Sequence, residues 1–295
     1  MNRPLPPAER DGVWCLGTGS PRLDGDRAGA SVLLMDRGVA TVVDCGIGAL
    51  YRLSQLGVRP HQVGAVLLTH HHVDHVADLP ALILTRWIAG RRRAAPRLRV
   101  VGPRGTREFV DVSLSAYAAD IESRIATGWL PTDLSVDVEE MDGGGEVTVG
   151  VWRIGAFGVD HRPVAAALGY TVEREGTRIV ISGDTRPCSA LIEQARGADV
   201  LLHEAIYPGY GVPAYHTLAE DVGKVAAEAA VARLVLTHLI PGTLPDEQWL
   251  QEARGHFHGP AIVARDLLQV AEWPAPGKDP FEGLPAWAGA GKEDK

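Results

Sequence analysis

The stretch "VGAVLLTHHHVDH" at 63–75 constrains this chain more than any other. Its apolar half, bounded by turn signals, has the character of a strand buried on both faces. Its polar half crowds His70, His71, His72, Asp74 and His75 directly behind that strand. So many imidazoles and a carboxylate are costly to desolvate unless something compensates. Imidazole nitrogens and carboxylate oxygens are zinc ligands, and bound cations supply both charge and lone-pair partners. His70 and His72 alternate outward together, so they can share one metal; Asp74 and His75, beyond a turn, can take a second. An exposed histidine-rich loop is the bland alternative.

The rest of the chain supplies a scaffold for such a loop. "VWCLGTG", "ASVLLM" and "ATVVDCG" read as strands, followed by a helix over "IGALYRLSQLG". A helix over "DLPALILTRWIAG", a strand "LRVVGP" and one long helix from Thr106 to Ile125 follow. The second half is built in the same way, with "LSVDVEEM", "EVTVGVWRIGAF", "AALGYTVE", "TRIVISGD", "DVLLHEA", "RLVLTHL" and "AIVAR" reading as successive strands. Helices are expected from Ala190 to Arg196, after a Thr217/Glu220 capping box, and around Trp249. Strands in two groups, each trailed by helices, predict an α/β fold of four layers: two packed sheets with helices outside, an αβ/βα sandwich. That domain is expected over 12–271, between an N-terminal extension at 1–11 and a Pro/Gly-rich tail at 272–295. Phe281 and Trp287 of the tail are candidates to pack on the body or on a partner subunit.

Charge and composition narrow the partners. The formal net charge is -8, and a protein that grips long nucleic acid usually shows a basic face. The basic run Arg91 to Arg99 reads as a solvated loop before a strand. Cys15, Cys45 and Cys188 lack motif spacing and read as reduced, which fits a cytoplasmic protein. There is no apolar leader at the start and no run long enough to span a membrane.

Three more residues occupy the same setting, a strand end followed by a loop: His161 in "VDHRP", Asp184 in "SGDTRP" and His238 in "LTHL". Taken in order, H-x-H-x-D-H, then His, then Asp in "SGDT", then His after a strand resembles the metallo-β-lactamase superfamily. The resemblance covers roughly 12–271. It implies that His70, His72, His161 and Asp184 hold one zinc, and Asp74, His75, Asp184 and His238 the other. Mn²⁺ and Fe²⁺ are alternative metals for such a set. It makes His71 a bystander and Asp44, in "TVVDCG", the residue that holds the ligand loop.

Within the superfamily, "LGTGSP" at 16–21, "SGDTRP" at 182–187, and "HEA" at 203–205 with "YHT" at 215–217 resemble the ribonuclease Z-like branch. That implies a catalytic pair, Glu204 orienting His216 to protonate a leaving group, beside Asp74 acting on a metal-bridging hydroxide. Ribonuclease Z carries a long tRNA-clamping arm between the motifs that match His161 and Asp184. Here two strands and a turn fill that interval. The short interval and the acidic charge predict small anionic esters, phosphodiesters or sulfate esters, rather than extended nucleic acid, as in the arm-less phosphodiesterase and arylsulfatase relatives. A lactonase or β-lactamase-like carbon-ester hydrolase is one alternative, and a ribonuclease Z-type RNA 3′-processing nuclease another. A metal-binding scaffold without turnover is disfavoured because every expected ligand is present. A homodimer stands among the expected assemblies. His256 and His258 share an H-x-H spacing but read as surface residues near the rim of the site.

Overall fold

A computed structural model of the chain describes residues 11–22, 25–90, 96–206, 215–240, 244–273 and 279–287. The first ten residues, 91–95 of the basic run and parts of the tail lie outside the described residues.

The fold is the four-layer αβ/βα sandwich. The first half forms β1 (Gly12–Gly17), β2 (Ser31–Asp36), β3 (Val39–Val43), α1 (Ala49–Gln55), β4 (Val63–Leu67), α2 (Val73–Val76), α3 (Leu79–Gly90), β5 (Leu98–Gly102), α4 (Thr106–Ser115), α5 (Ala118–Ala126) and β6 (Val136–Glu140). The second half forms β7 (Glu146–Val149), β8 (Trp152–Gly158), β9 (Leu168–Arg174), β10 (Thr177–Ile181), α6 (Ser189–Ala195), β11 (Val200–Glu204), α7 (Ala219–Glu228), β12 (Leu234–Thr237), α8 (Asp246–Arg254), β13 (Ala261–Val263) and β14 (Leu268–Glu272). Among the described residues the strands make two sheets, ordered β14-β1-β2-β3-β4-β5-β6 and β13-β12-β11-β10-β9-β8-β7.

Strand alternation builds the layers. On β1, Val13 and Cys15 point between the sheets while Trp14 and Leu16 point toward α1 and α3. On β11, Val200 and Leu202 face the inter-sheet core while Leu201 faces α6 and α7. Such strands are buried on both faces, which is why their sequences are continuously apolar. β3 to β6 run parallel, as do β10 to β13. Their C-terminal ends gather at one edge of the sandwich, where open α/β sheets place ligands. At that edge the sheets are stitched together: Leu168 N donates to the Thr69 carbonyl at 2.9 Å, and the buried Tyr170 hydroxyl donates to the Leu68 carbonyl at 2.7 Å.

Four local expectations are corrected. The helix from Thr106 is two, α4 and α5, parted at Ala116 and Tyr117. Ser115 Oγ bonds back to the Val112 carbonyl at 2.6 Å, a competition that bends helices. "EVTVGVWRIGAF" is a hairpin, β7 and β8, turning at Gly150, whose φ of 58° suits glycine. The Thr217 hydroxyl does not cap α7; it donates to the Thr185 carbonyl at 2.6 Å instead. And "AIVAR" does not end the core, because β14 pairs antiparallel with β1 and closes the first sheet.

The tail turns back on the body. Phe281 and Trp273 are buried in the inter-sheet core, Trp287 packs against it, and Arg233 lies 4.0 Å over the Phe281 ring.

Candidate metal and acid site

The C-terminal edge gathers residues from six places in the chain. Behind β4, Thr69 and His70 lead into the one-turn helix α2, so Asp74 and His75 stand on a helical turn rather than in a loop, with His72 as its N-cap. His161 lies in the β8–β9 connection, Asp184 follows β10, Glu204 ends β11, and His238 follows β12. His216 precedes α7. All but His72 and His216 are almost completely buried.

The side chains converge on Asp184. Its Oδ2 lies 3.7 Å from His70 Nε2, 3.9 Å from His161 Nε2 and 3.4 Å from His238 Nε2; its Oδ1 lies 3.4 Å from His75 Nε2. Asp74 Oδ2 is 3.1 Å from His238 Nε2 and 3.6 Å from His75 Nε2. His72 Nδ1 lies 3.4 Å from His161 Nε2. Among the described residues, three overlapping groups have donor atoms close enough to share a cation: His70, His72, His161 and Asp184; Asp74, His75 and His238; and Asp184, Glu204, His216 and His238. His256 and His258 join none of them, and His256 pairs with Glu220 on the surface at 3.3 Å.

The outer nitrogens of three of these histidines, His70, His75 and His161, are already engaged, while His238 Nδ1 is buried without a hydrogen-bond partner among the described residues. Asp44 accepts from Thr69 N at 2.7 Å and from Thr69 Oγ1 at 2.9 Å, and its Oδ2 takes His75 Nδ1 at 2.8 Å. His161 Nδ1 donates to the Tyr215 carbonyl at 3.0 Å, and His70 Nδ1 lies 3.0 Å from Thr69 Oγ1. Each bond fixes the tautomer that leaves Nε2 as a lone pair facing the cluster. Among the described residues, His70 Nε2, His75 Nε2, Asp74 Oδ1 and Asp184 Oδ1 are buried without a hydrogen-bond partner. Lone pairs aimed at one another at such distances repel unless a cation lies between them, so the donor set fits divalent metal. Asp44 and His238 both adopt the left-handed region, at φ 58° and 57°, a strain typical of functional positions. His71 stays outside, bonded to Thr106 Oγ1 at 2.9 Å and stacked on Phe109.

Electrostatics agree with the crowding. Burial pushes the Asp184 carboxyl up, but His238, His75 and His70 outweigh it and hold the carboxyl well below its usual range. Burial opposes charge on His238, yet Asp184 and Asp74 raise it to about 9. Burial, reinforced by His75, holds His70 well below its usual value.

Beside the cluster stands a second unit. His216 Nδ1 lies 2.9 and 2.8 Å from the two oxygens of Glu204, and 3.9 Å from Asp184 Oδ2. Glu204 also accepts from Thr185 N at 2.6 Å. Burial and the neighbouring Asp184 push Glu204 up to about 7. Burial works against the His216 cation, but Glu204 outweighs it and raises the imidazole above its ordinary value. His216 therefore turns Nδ1 to Glu204 and keeps its Nε2 edge free of that carboxylate, the edge from which an acid would donate.

Sequence reading singled out each of these side chains and Asp44. It missed Thr69, Thr185 and Tyr170, which hold them. The two threonines adjoin site residues in sequence, a usable signal; Tyr170 lies within an ordinary apolar strand and gives none.

A profile of the Beta-lactamase superfamily domain matches residues 41–239. The Ribonuclease Z of Mycolicibacterium gilvum is 37% identical over 278 residues, covering 89% of this chain and 96% of that protein. Among solved structures, the metallo-β-lactamase fold protein YhfI from Bacillus subtilis aligns with a TM-score of 0.71 at 20% identity, over 88% of this chain and 98% of that one. The short form of human tRNase Z aligns at 0.65 and 20% identity, over 88% of this chain and 98% of that one.

Proposed function

This chain belongs to the metallo-β-lactamase superfamily, and from that premise we propose that it is a metal-dependent phosphodiesterase acting on nucleotide phosphodiesters. The observation that carries the reading is the Glu204–His216 pair, 2.8 Å apart and against Asp184. An alkoxide leaving group needs a proton, and this pair supplies one beside the cluster.

His70, His72, His161 and Asp184 would hold one ion, and Asp74, His75, Asp184 and His238 a second, zinc by default. When bound, two divalent cations activate water and stabilise developing negative charge on the phosphoryl oxygens. The chain does the rest. Asp184 stands between the two sets. Asp74 Oδ1, without a hydrogen-bond partner among the described residues, would accept a proton from attacking water. Glu204 holds the imidazole of His216 by Nδ1, so Nε2 delivers the proton to the leaving oxygen.

The substrate class is revised from the sequence reading. The β9–β10 hairpin fills the interval between His161 and Asp184, as expected. That interval and the -8 charge argued against extended nucleic acid. Yet the M. gilvum protein named Ribonuclease Z aligns along 89% of this chain and 96% of its own length, which supports a shared substrate class. RNA therefore returns as a substrate. The sulfate-ester half of the expectation gains no support from these relatives.

Metal-loaded protein should be assayed against a chromogenic phosphodiester, a pre-tRNA with a 3′ trailer, a lactone and a β-lactam. Turnover of the phosphodiester or the trailer, well above both carbon substrates, is expected. Faster lactone or lactam hydrolysis would overturn the reading.

A further inference from the structure

Two arginines stand directly behind two residues of the cluster. Arg162 follows His161 in "DHRP", and Arg186 stands two positions after Asp184 in "DTRP". Consecutive Cα atoms are about 3.8 Å apart, so both backbones lie within roughly 8 Å of the cluster residues they follow. The two segments pair with each other: Arg186 N donates to the Asp160 carbonyl at 3.0 Å, and Asp160 N donates to Thr185 Oγ1 at 3.1 Å.

Their side chains meet on one carboxylate. Arg162 holds Asp160 with two prongs, Nε to Oδ1 at 2.9 Å and Nη2 to Oδ2 at 2.6 Å. Arg186 Nε lies 3.0 Å from the same Oδ2, yet forms no hydrogen bond there. Among the described residues, no acceptor takes a hydrogen bond from the Arg186 guanidinium, which is 34% exposed. The Arg162 side chain is 73% exposed. A purely structural role for the side chains is redundant, because the backbone bonds already tie the two segments. What remains is a cationic surplus, two guanidiniums on one carboxylate, on the segments that carry two cluster residues of an acidic chain.

A guanidinium fork matches the oxygens of a phosphate, and one surplus positive charge balances one phosphodiester. We infer that Arg162 and Arg186 form a second phosphate subsite, which takes the phosphate neighbouring the scissile one, so that the enzyme prefers nucleotides carrying two phosphates. Asp160 aligns the two forks and need not release either. The inference rests on the phosphodiesterase reading for its kinetic consequence, but not for binding.

Two measurements test it. In the zinc-loaded enzyme, kcat/KM is compared for the p-nitrophenyl ester of thymidine 5′-phosphate with and without a 3′-phosphate. The wild type should favour the two-phosphate ester, and Arg162→Ala or Arg186→Ala should cut that ratio about tenfold, with Arg162→Lys restoring part of it. Because both arginines are partly exposed, the preference should also shrink as salt rises. Separately, calorimetry in chelator measures binding of a short single-stranded RNA to the metal-free chain, where both alanine variants should bind several-fold more weakly. No preference in the wild type, or equal slowing of both esters by the variants, overturns the subsite. If the wild type cleaves neither ester, the phosphodiesterase reading fails and calorimetry alone decides: weaker RNA binding by the variants upholds the subsite, and unchanged binding overturns it.

Discussion

At the scale of single residues, two histidines that flank Glu204 have opposite characters. His216 is raised by Glu204, despite burial, and is proposed to give up its proton in the reaction. If it is a general acid, its value depends on the leaving group, and such catalysis contributes about 10²–10⁴-fold. His216→Ala should slow an alkyl phosphodiester by that order but a p-nitrophenyl ester much less, with metal content unchanged by elemental analysis. Glu204→Gln should repeat the pattern more weakly. Equal slowing of both substrates would assign His216 to positioning alone. His203, one residue before Glu204, points to the helix side of β11 and is fully buried. Burial pushes it down to about 4, from an ordinary 6.5. The unfolded chain thus binds the extra proton between those values. The stability gained by keeping this imidazole neutral is complete above about 6.5 and is lost as pH falls toward 4. At about 1.4 kcal/mol per unit, the loss is about 3 kcal/mol. Denaturant titrations across that range should show a shallower acid loss in His203→Gln than in the wild type, and parallel curves would count against the assignment.

At the scale of elements, the site depends on how closely α2 is held against the strand ends beside it. Asp44, at the end of β3, fixes the loop through Thr69 and the ring of His75 through Nδ1. Removing an outer partner of a metal-ligating histidine typically costs 10–100-fold in metal affinity. Asp44→Asn should fall in that range in a zinc competition titration. Gly46 allows the contact from the other side: a Cβ there would lie 2.0 Å from the Asp74 carbonyl oxygen, a backbone atom that cannot yield without moving α2. Gly46→Ala should cost about 1–3 kcal/mol in denaturant unfolding and also weaken zinc binding. A stability loss with metal affinity intact would separate the close approach from the site. This layer also shows where sequence reading stops. The doubly buried strands were legible because their apolar runs are continuous, and the site residues because ionisable groups stand at the ends of those runs. Three of the four exceptions were decided by a partner distant in sequence or by one backbone angle, and the fourth, the break after α4, by the local Ser115–Val112 bond. Thr217 has the spacing of a cap, yet the Thr185 carbonyl takes its hydroxyl. β14 becomes a strand because β1 offers an edge. Gly150 turns a strand into a hairpin by one positive φ.

At the scale of the whole molecule, the candidate ligands are divided between the two sheets. His70, His72, Asp74 and His75 come from the connection after β4 in the first sheet, while His161, Asp184 and His238 come from strand ends of the second. Among the described residues, the polar contacts that stitch the sheets at that edge include Leu168 to Thr69 and Tyr170 to Leu68. Metal would therefore cross-link the halves of the sandwich as well as complete the site, since either proposed set draws on both sheets. Unfolding separates the ligands, so binding free energy becomes folding free energy. At free zinc a hundredfold above Kd, one site adds about 2.7 kcal/mol. A domain of this size shifts by about 2–4 °C per kcal/mol, so chelation should lower Tm by at least about 5 °C in a scan that is otherwise unchanged. Asp184→Ala should abolish most of that difference, because Asp184 is common to both sets. Asp184→Asn is the second variant, keeping the side-chain volume and removing the charge. An equally large zinc-dependent rise in Tm in both variants would mean that the metal binds away from the inter-sheet edge. The absence of any zinc-dependent rise in the wild type would mean that the buried lone pairs around Asp184 are satisfied in some other way.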